Sequence, residues 1–411
     1  MDLIQTFAAL ITLAALFSYI NHRYIKLPTT IGLLVISLLL SLSLIGLDQL
    51  GLPLESYALT LLDQVDFNKA LMEGMLSALL FAGAMHVSLE SLKENKWLVA
   101  TLASVGVISS TFMVGFASYY IFQWFGLNIP LIYCLLFGSL IAPTDPIAVL
   151  GILKHLGAPK SLETKIAGES LFNDGIAVVV FLVLLGIAGT GHDSEPVSAS
   201  SVIILFLQEA VGGVGFGLIA GYIVFRMLAS IDSYQVEILL TLGLVFGGYA
   251  LASALHISGP IFVVIAGLLI GNGGRKHAMS DKTREHLDDF WELIDEILNA
   301  ILFVLIGLEV LVLSFELTYL YAGLVMIPLT LGARFISVGI PVSIMKKHKT
   351  FTPKVIRILT WGGLRGGISI ALALTLPAGE SREALLVITY VVVIFSIIVQ
   401  GLTVGKLIDP E

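Results

Sequence analysis

Glu169, Ser170, Asn173 and Asp174 stand at i, i+1, i+4 and i+5 of an otherwise apolar run, within Gly168-Glu-Ser-Leu-Phe-Asn-Asp-Gly175. At 100° per residue a helix fans these four side chains over roughly 140° of one face. Two carboxylates, a hydroxyl and an amide on one face could serve as a site for a hard cation. The alternative is a polar helix–helix contact. A charged side chain near a bilayer centre costs at least ~2.5–3.5 kcal/mol on insertion scales, so one that persists there needs a purpose. Two further segments place ionisable residues in apolar surroundings. Ala142-Pro143-Thr144-Asp145-Pro146 puts an acid and a hydroxyl between two prolines, and Trp361-Gly-Gly-Leu-Arg365-Gly-Gly367 sets a base among four glycines.

These residues must be held by membrane helices. The chain is 57% hydrophobic and 13% charged, with a mean hydropathy of +0.97, whereas a soluble domain is roughly 25% charged. Apolar runs long enough to cross a bilayer recur throughout and predict an all-α polytopic membrane protein of thirteen spans: 3–21, 28–47, 69–89, 97–125, 130–153, 162–189, 201–229, 235–255, 257–271, 286–314, 318–345, 354–376 and 382–408. The first reads as a retained span rather than a cleaved signal. The net charge of −8 leaves no basic surface for nucleic acid, and the single Cys134 excludes an intrachain disulfide or a cysteine metal cluster. Lysine and arginine gather in alternate loops. Only Lys69 and Arg382 fall on the opposite side, and only Arg334 and Arg365 lie within spans. This asymmetry predicts a multi-pass cell-membrane protein with its N-terminus outside and its C-terminus cytoplasmic.

Spans of opposite direction separated by seven in the count would form an inverted repeat. Residues 1–189 then make the first repeat, 201–229 a linking span and 235–408 the second repeat, in a single transporter unit. The interruptions of the fifth and twelfth spans correspond. Prolines remove backbone donors and glycine pairs loosen a helix, so both spans should unwind, which is tolerated only inside protein or beside a water-filled cavity. At about 1.5 Å per residue, positions roughly fifteen, twelve and eleven residues into their spans put Asp145, Asp174 and Arg365 near mid-depth. A buried guanidinium there should hold a carboxylate. One such pair among Asp145, Glu169 and Asp174 leaves two acids and a negative potential suited to a cation or a proton.

Glu169-Ser-Leu-Phe-Asn-Asp-Gly175, Pro143-Thr-Asp-Pro146 and Trp361-Gly-Gly-Leu-Arg-Gly-Gly367 resemble the signature segments of NhaP-type sodium/proton antiporters, relatives of the animal sodium/proton exchangers. The resemblance continues through His256-Ile-Ser-Gly259, Ala266–Asn272, Asn299–Glu309 and Val399-Gln-Gly-Leu-Thr403, and so covers nearly the whole chain. It implies a homodimer in the lipid bilayer, each protomer having a dimerisation domain and a mobile core. It also implies that Asp174 is the main carboxylate for proton and cation. Thr144, Asp145, Ser170 and Asn173 would complete the site, with the monovalent cation held by Asp174, Asp145, Ser170 and Thr144, and Glu169 would form an ion pair with Arg365. Asn173 resembles the electroneutral branch, in which one monovalent cation exchanges for one proton. One departure is Ala82, after Leu79-Leu80-Phe81, where many relatives carry an acid.

The expected activity is exchange of a monovalent cation (Na⁺, with Li⁺ or K⁺ as alternatives) for H⁺ by alternating access, without a cofactor. A channel is disfavoured because no filter segment is present. Sodium-coupled uptake of an organic anion would need a free midplane base beyond Arg365. No nucleophile–base set points to an enzyme. Among the other polar positions, Glu309 could gate the outer side, and Arg334 could snorkel or pair with an acid the sequence does not identify. Glu285, Asp288, Glu292 and Glu296 form an acidic stripe toward the inner mouth, and His155, His277, His286 and His348 lie on the cytoplasmic side. Gly212, Gly213, Gly215, Gly217 and Gly221 predict close packing, at a helix contact or a dimer contact.

Overall fold

The computed structural model describes residues 3–50, 70–146, 149–151, 153, 160–189, 199–274, 281–313, 316–347, 351 and 353–408. Most of the expected external loop 48–68, the turn at 190–198 and the basic stretch 275–280 with His277 lie outside them, as do His155 and His348. Among the described residues the chain is helical, and its one β contact is an isolated bridge between Asp145 and Leu364. Backbone groups in lipid must be satisfied within the segment, so a greasy chain of this kind becomes a set of helices. Seven of them are long and apolar enough to cross a membrane by length and composition.

In chain order the described helices begin with α1 (Leu3–Ile20), α2 (Thr29–Gln49), α3 (Leu76–His86) and α4 (Leu89–Trp124), followed by α5 (Leu131–Leu140), α6 (Lys160–Ile187) and α7 (Ala199–Leu228). Next come α8 (Tyr234–Ala254), α9 (Gly259–Leu269), α10 (Asp281–Leu308) and α11 (Leu317–Met345). A broken pair, α12 (Val355–Trp361) and α13 (Gly367–Leu374), precedes α14 (Glu380–Thr403). Local chemistry sets several starts. Ser88 caps α4 by accepting from Ser91 N–H, and Ser258 caps α9 by accepting from Ile261 N–H, with Pro260 in its first turn.

Two large apolar clusters flank α10. One gathers Phe137 and Leu140 of α5, Phe181 of α6 and Tyr390 of α14 against Leu302–Ile306 of α10. The other gathers Phe81 of α3 and Phe262 of α9 around Leu287 and Trp291 of α10. Trp291 stacks 4.7 Å from Phe81 and donates to Thr241 Oγ1 at 3.1 Å. α10 thus connects the two clusters, and its polar residues between them face a cavity. The glycines of α7 have an intrachain use. A Cβ at Gly213 would come within 2.9 Å of Ser258 O, and one at Gly217 within 2.8 Å of Phe262 O, so the stripe packs on α9.

Candidate functional site

The fifth span stops where its donors run out. α5 ends at Leu140, and Pro146 has no N–H for the carbonyl of Ala142, its partner in a continued helix. Arg365 supplies the missing donor from the other broken span. Its Nη1 donates to Ala142 O at 2.6 Å and to Pro143 O at 2.9 Å. A cation at the carbonyl end of a half-helix also meets the negative end of the helix dipole. The twelfth span is repaired in the same manner. α12 ends at Trp361, and Arg334 of α11 donates through Nη2 to Leu359 O at 3.3 Å, while Gln400 Nε2 serves Trp361 O at 2.9 Å. Ser396 Oγ accepts from Arg365 N–H at 2.9 Å.

The two unwound segments cross. Asp145 N–H donates to Leu364 O at 2.7 Å, an antiparallel bridge at the crossing. Glycine makes the approach possible, because a Cβ on Gly366 would overlap Asp145 Oδ2, and one on Gly363 would lie 2.8 Å from Arg334 Nε. Beside the crossing, Asn173 of α6 brackets Thr144. Its Nδ2 donates to Thr144 Oγ1 at 2.8 Å and its Oδ1 accepts from Thr144 N–H at 3.3 Å. Ser170 Oγ shares a proton with Thr144 Oγ1 at 3.0 Å. The four positions at i, i+1, i+4 and i+5 are all buried, and the helix aims three of them at the break.

The predicted ion pair needs correction. Glu169 pairs with Arg334, its Oε1 2.5 Å from Arg334 Nη1, rather than with Arg365. The reason is the backbone break, since the guanidinium of Arg365 is taken up by the carbonyls of Ala142 and Pro143, and Arg334 reaches the glutamate from α11. Glu169 still lies within electrostatic reach of Arg365. Two arginines therefore serve the crossing, where the sequence reading counted one.

Asp174 is 6% exposed, and its Oδ1 has no hydrogen-bond partner among the described residues. Asp145 and Glu169 are its charged neighbours. Asp174, Asp145 and Thr144 line a cavity of about 590 Å³. Exposed Ser88, Glu292 and Glu296 mark the mouth, and Thr144, Asp174 and Asn299 are buried at the floor. A carboxylate and the Thr144 hydroxyl at the end of the cavity, with Ser170 Oγ bonded behind Thr144, can take either a proton or a dehydrated monovalent cation. Ala82 also lines this cavity and offers it no ligand.

Sequence reasoning missed Asp295 and Asn299 of α10, which line the same cavity. The signal was available, because Glu292, Asp295 or Glu296, Asn299 and Leu302 repeat at helical spacing, but the acidic stripe was followed only as far as Glu296. Glu309 and His286 stand apart from the cavity lining, and His286 packs 4.5 Å from the ring of Tyr234.

Residues 11–409 match the family model described as "Sodium/hydrogen exchanger, transmembrane". The chain is 52% identical over 413 residues to the Na(+)/H(+) antiporter NhaP of Pseudomonas aeruginosa, covering 99% of this chain and 96% of that relative. It is 35% identical to the Na(+)/H(+) antiporter NhaH of Halobacillus aidingensis, over 94% of this chain and 92% of that relative. Among solved structures it is similar to the sodium proton antiporter MjNhaP1 of Methanocaldococcus jannaschii. That match has a TM-score of 0.75 at 22% identity and covers 99% of this chain and 98% of the other, a likeness of fold.

Proposed function

The chain belongs to the transmembrane sodium/hydrogen exchanger family, and from that premise and the geometry above we propose that it exchanges a monovalent cation, Na⁺ in the first instance, for H⁺ across the cell membrane. The observation that carries this reading is Asp174, a buried carboxylate with an unpartnered oxygen at the floor of the cavity. One carboxylate that accepts either a proton or a cation, but not both, enforces exchange as long as its empty, charged form does not cross. Thr144, Ser170 and Asp145 add oxygens for the cation, and Asn173 holds Thr144 in place.

Alternating access is supported by the asymmetry around Asp174. The cavity approaches it from the end of the bundle that carries Lys93, Lys96 and Lys165, the side that the charge bias assigns to the cytoplasm. One and two turns further along α6, Val178 and Phe181 are packed into an apolar cluster that closes the other side. In this reading the described state faces the cytoplasm, the chain has thirteen spans in two inverted repeats, and two copies form a homodimer.

Exchange is electroneutral by charge count. Glu169 is held by Arg334 and Asn173 carries no charge, and in this reading Asp145 keeps one protonation state through the cycle. Asp174 is left to exchange one proton for one cation. The test is the purified protein in liposomes, with proton flux driven in turn by Na⁺, Li⁺ and K⁺ gradients. Na⁺-driven flux that ignores a K⁺/valinomycin potential is expected. Flux that any of these potentials accelerates would overturn electroneutrality, and proton flux without a cation requirement would overturn antiport.

A further inference from the structure

We propose that Asp295 and Asn299 form a second, transient site for the same monovalent cation, on the wall of the cavity and before the exchange site at Asp174. The proposal rests on the antiport reading and extends it to the path by which the cation arrives. The two residues are one helical turn apart on α10, hence on one face. That face lines the cavity shared by Asp145 and Asp174. Asp295 lies within electrostatic reach of Asp145, which places it close to the crossing.

Asn299 is the second observation. It is 3% exposed, and its amide meets no partner in good hydrogen-bond geometry among the described residues, the Asp295 carboxylate one turn away being the polar group that acts on it. Buried amides are ordinarily well satisfied, so an amide held this loosely on the cavity wall beside a carboxylate is poised for a guest. The carboxylate of Asp295 supplies charge and the Asn299 carbonyl supplies a neutral oxygen. This combination suits a partly hydrated monovalent cation and holds it more weakly than the carboxylates and hydroxyls around Asp174. Leu302, one turn further on the same face, fills the space beside Gly367 where a Cβ would stand, so this stretch of α10 abuts the glycine break. A cation resting here is one short step from Asp174 and has already shed part of its water.

Equilibrium binding of radiolabelled sodium to the purified full chain tests this. Asp174→Asn removes the exchange carboxylate and should leave saturable sodium binding at the second site, roughly tenfold weaker than in the wild type because one carboxylate and one amide hold the cation there. Adding Asn299→Leu should abolish that residual binding, and adding Asn299→Asp instead should keep it. A residue that only fills space would not tolerate the charged replacement. No saturable binding to Asp174→Asn protein, or residual binding indifferent to Asn299→Leu, would overturn the second site while leaving exchange at Asp174 intact. The predicted binding pattern, found in protein whose wild type shows no sodium-driven proton flux, would support the site and overturn the antiport reading.

Discussion

The two broken spans solve one problem by opposite means. In the fifth span prolines remove donors, and the carbonyl left at Ala142 needs a donor from elsewhere, which Arg365 provides. In the twelfth span the glycines keep every N–H and remove side chains instead, so that Asp145 and Arg334 can approach the backbone. The proline break presents an acid and takes a base from its partner, and the glycine break presents a base and makes room for the acid. A second contrast follows. The arginine serving the glycine break is balanced by Glu169, whereas the arginine serving the proline break is held by carbonyls. Charge at the crossing is therefore distributed by what each break lacks.

The largest effect should come from the balanced arginine. Glu169→Gln or Arg334→Met should each destabilise the protein by about 3–5 kcal/mol, the usual result of breaking one partner of a buried pair. In a double-mutant cycle read by thermal unfolding, the two should couple strongly, and Glu169 with Arg365 only weakly. Equal coupling to both arginines would erase the distinction between the breaks.

Arg365→Met should cost about 1–3 kcal/mol for each carbonyl it orphans. Pro146→Ala supplies the N–H that a continued helix would offer to Ala142 O, so the double variant should recover part of the lost stability. Absence of any recovery would mean that Arg365 acts through charge alone. Smaller still is the effect of glycine geometry. Gly366→Ala should destabilise by about 1–3 kcal/mol through overpacking against Asp145. Gly332→Ala of α11, where an added Cβ meets nothing within 4 Å, should be neutral or stabilising by up to about 1 kcal/mol. Similar stabilities for the two variants would show that the crossing is looser than described.

Much of this was legible in the sequence because membrane chemistry is restrictive. Apolar runs announce the helices, and charges inside them announce the site. The i, i+1, i+4, i+5 spacing brought Ser170 and Asn173 to Thr144, and proline and glycine runs marked both unwound segments. The partner of Glu169 was not legible. Depth arithmetic grouped Arg365 with the acids, but choosing between two arginines requires knowing that Pro146 leaves a carbonyl for one of them. Asp295 and Asn299 were missed for a related reason. α10 runs from an exposed acidic end into the core without a break, and only the packing of its neighbours shows which side borders the cavity. The glycines of α7 were legible as a packing face, and the identity of α9 as the packing partner was not.

The central claim is that one carboxylate carries both the proton and the cation, and Asp174→Asn in liposomes tests it most directly. The amide keeps the shape of the side chain and removes the exchangeable charge. Na⁺-gradient-driven proton flux should vanish while the variant inserts and unfolds like the wild type, and near-normal flux would contradict the claim.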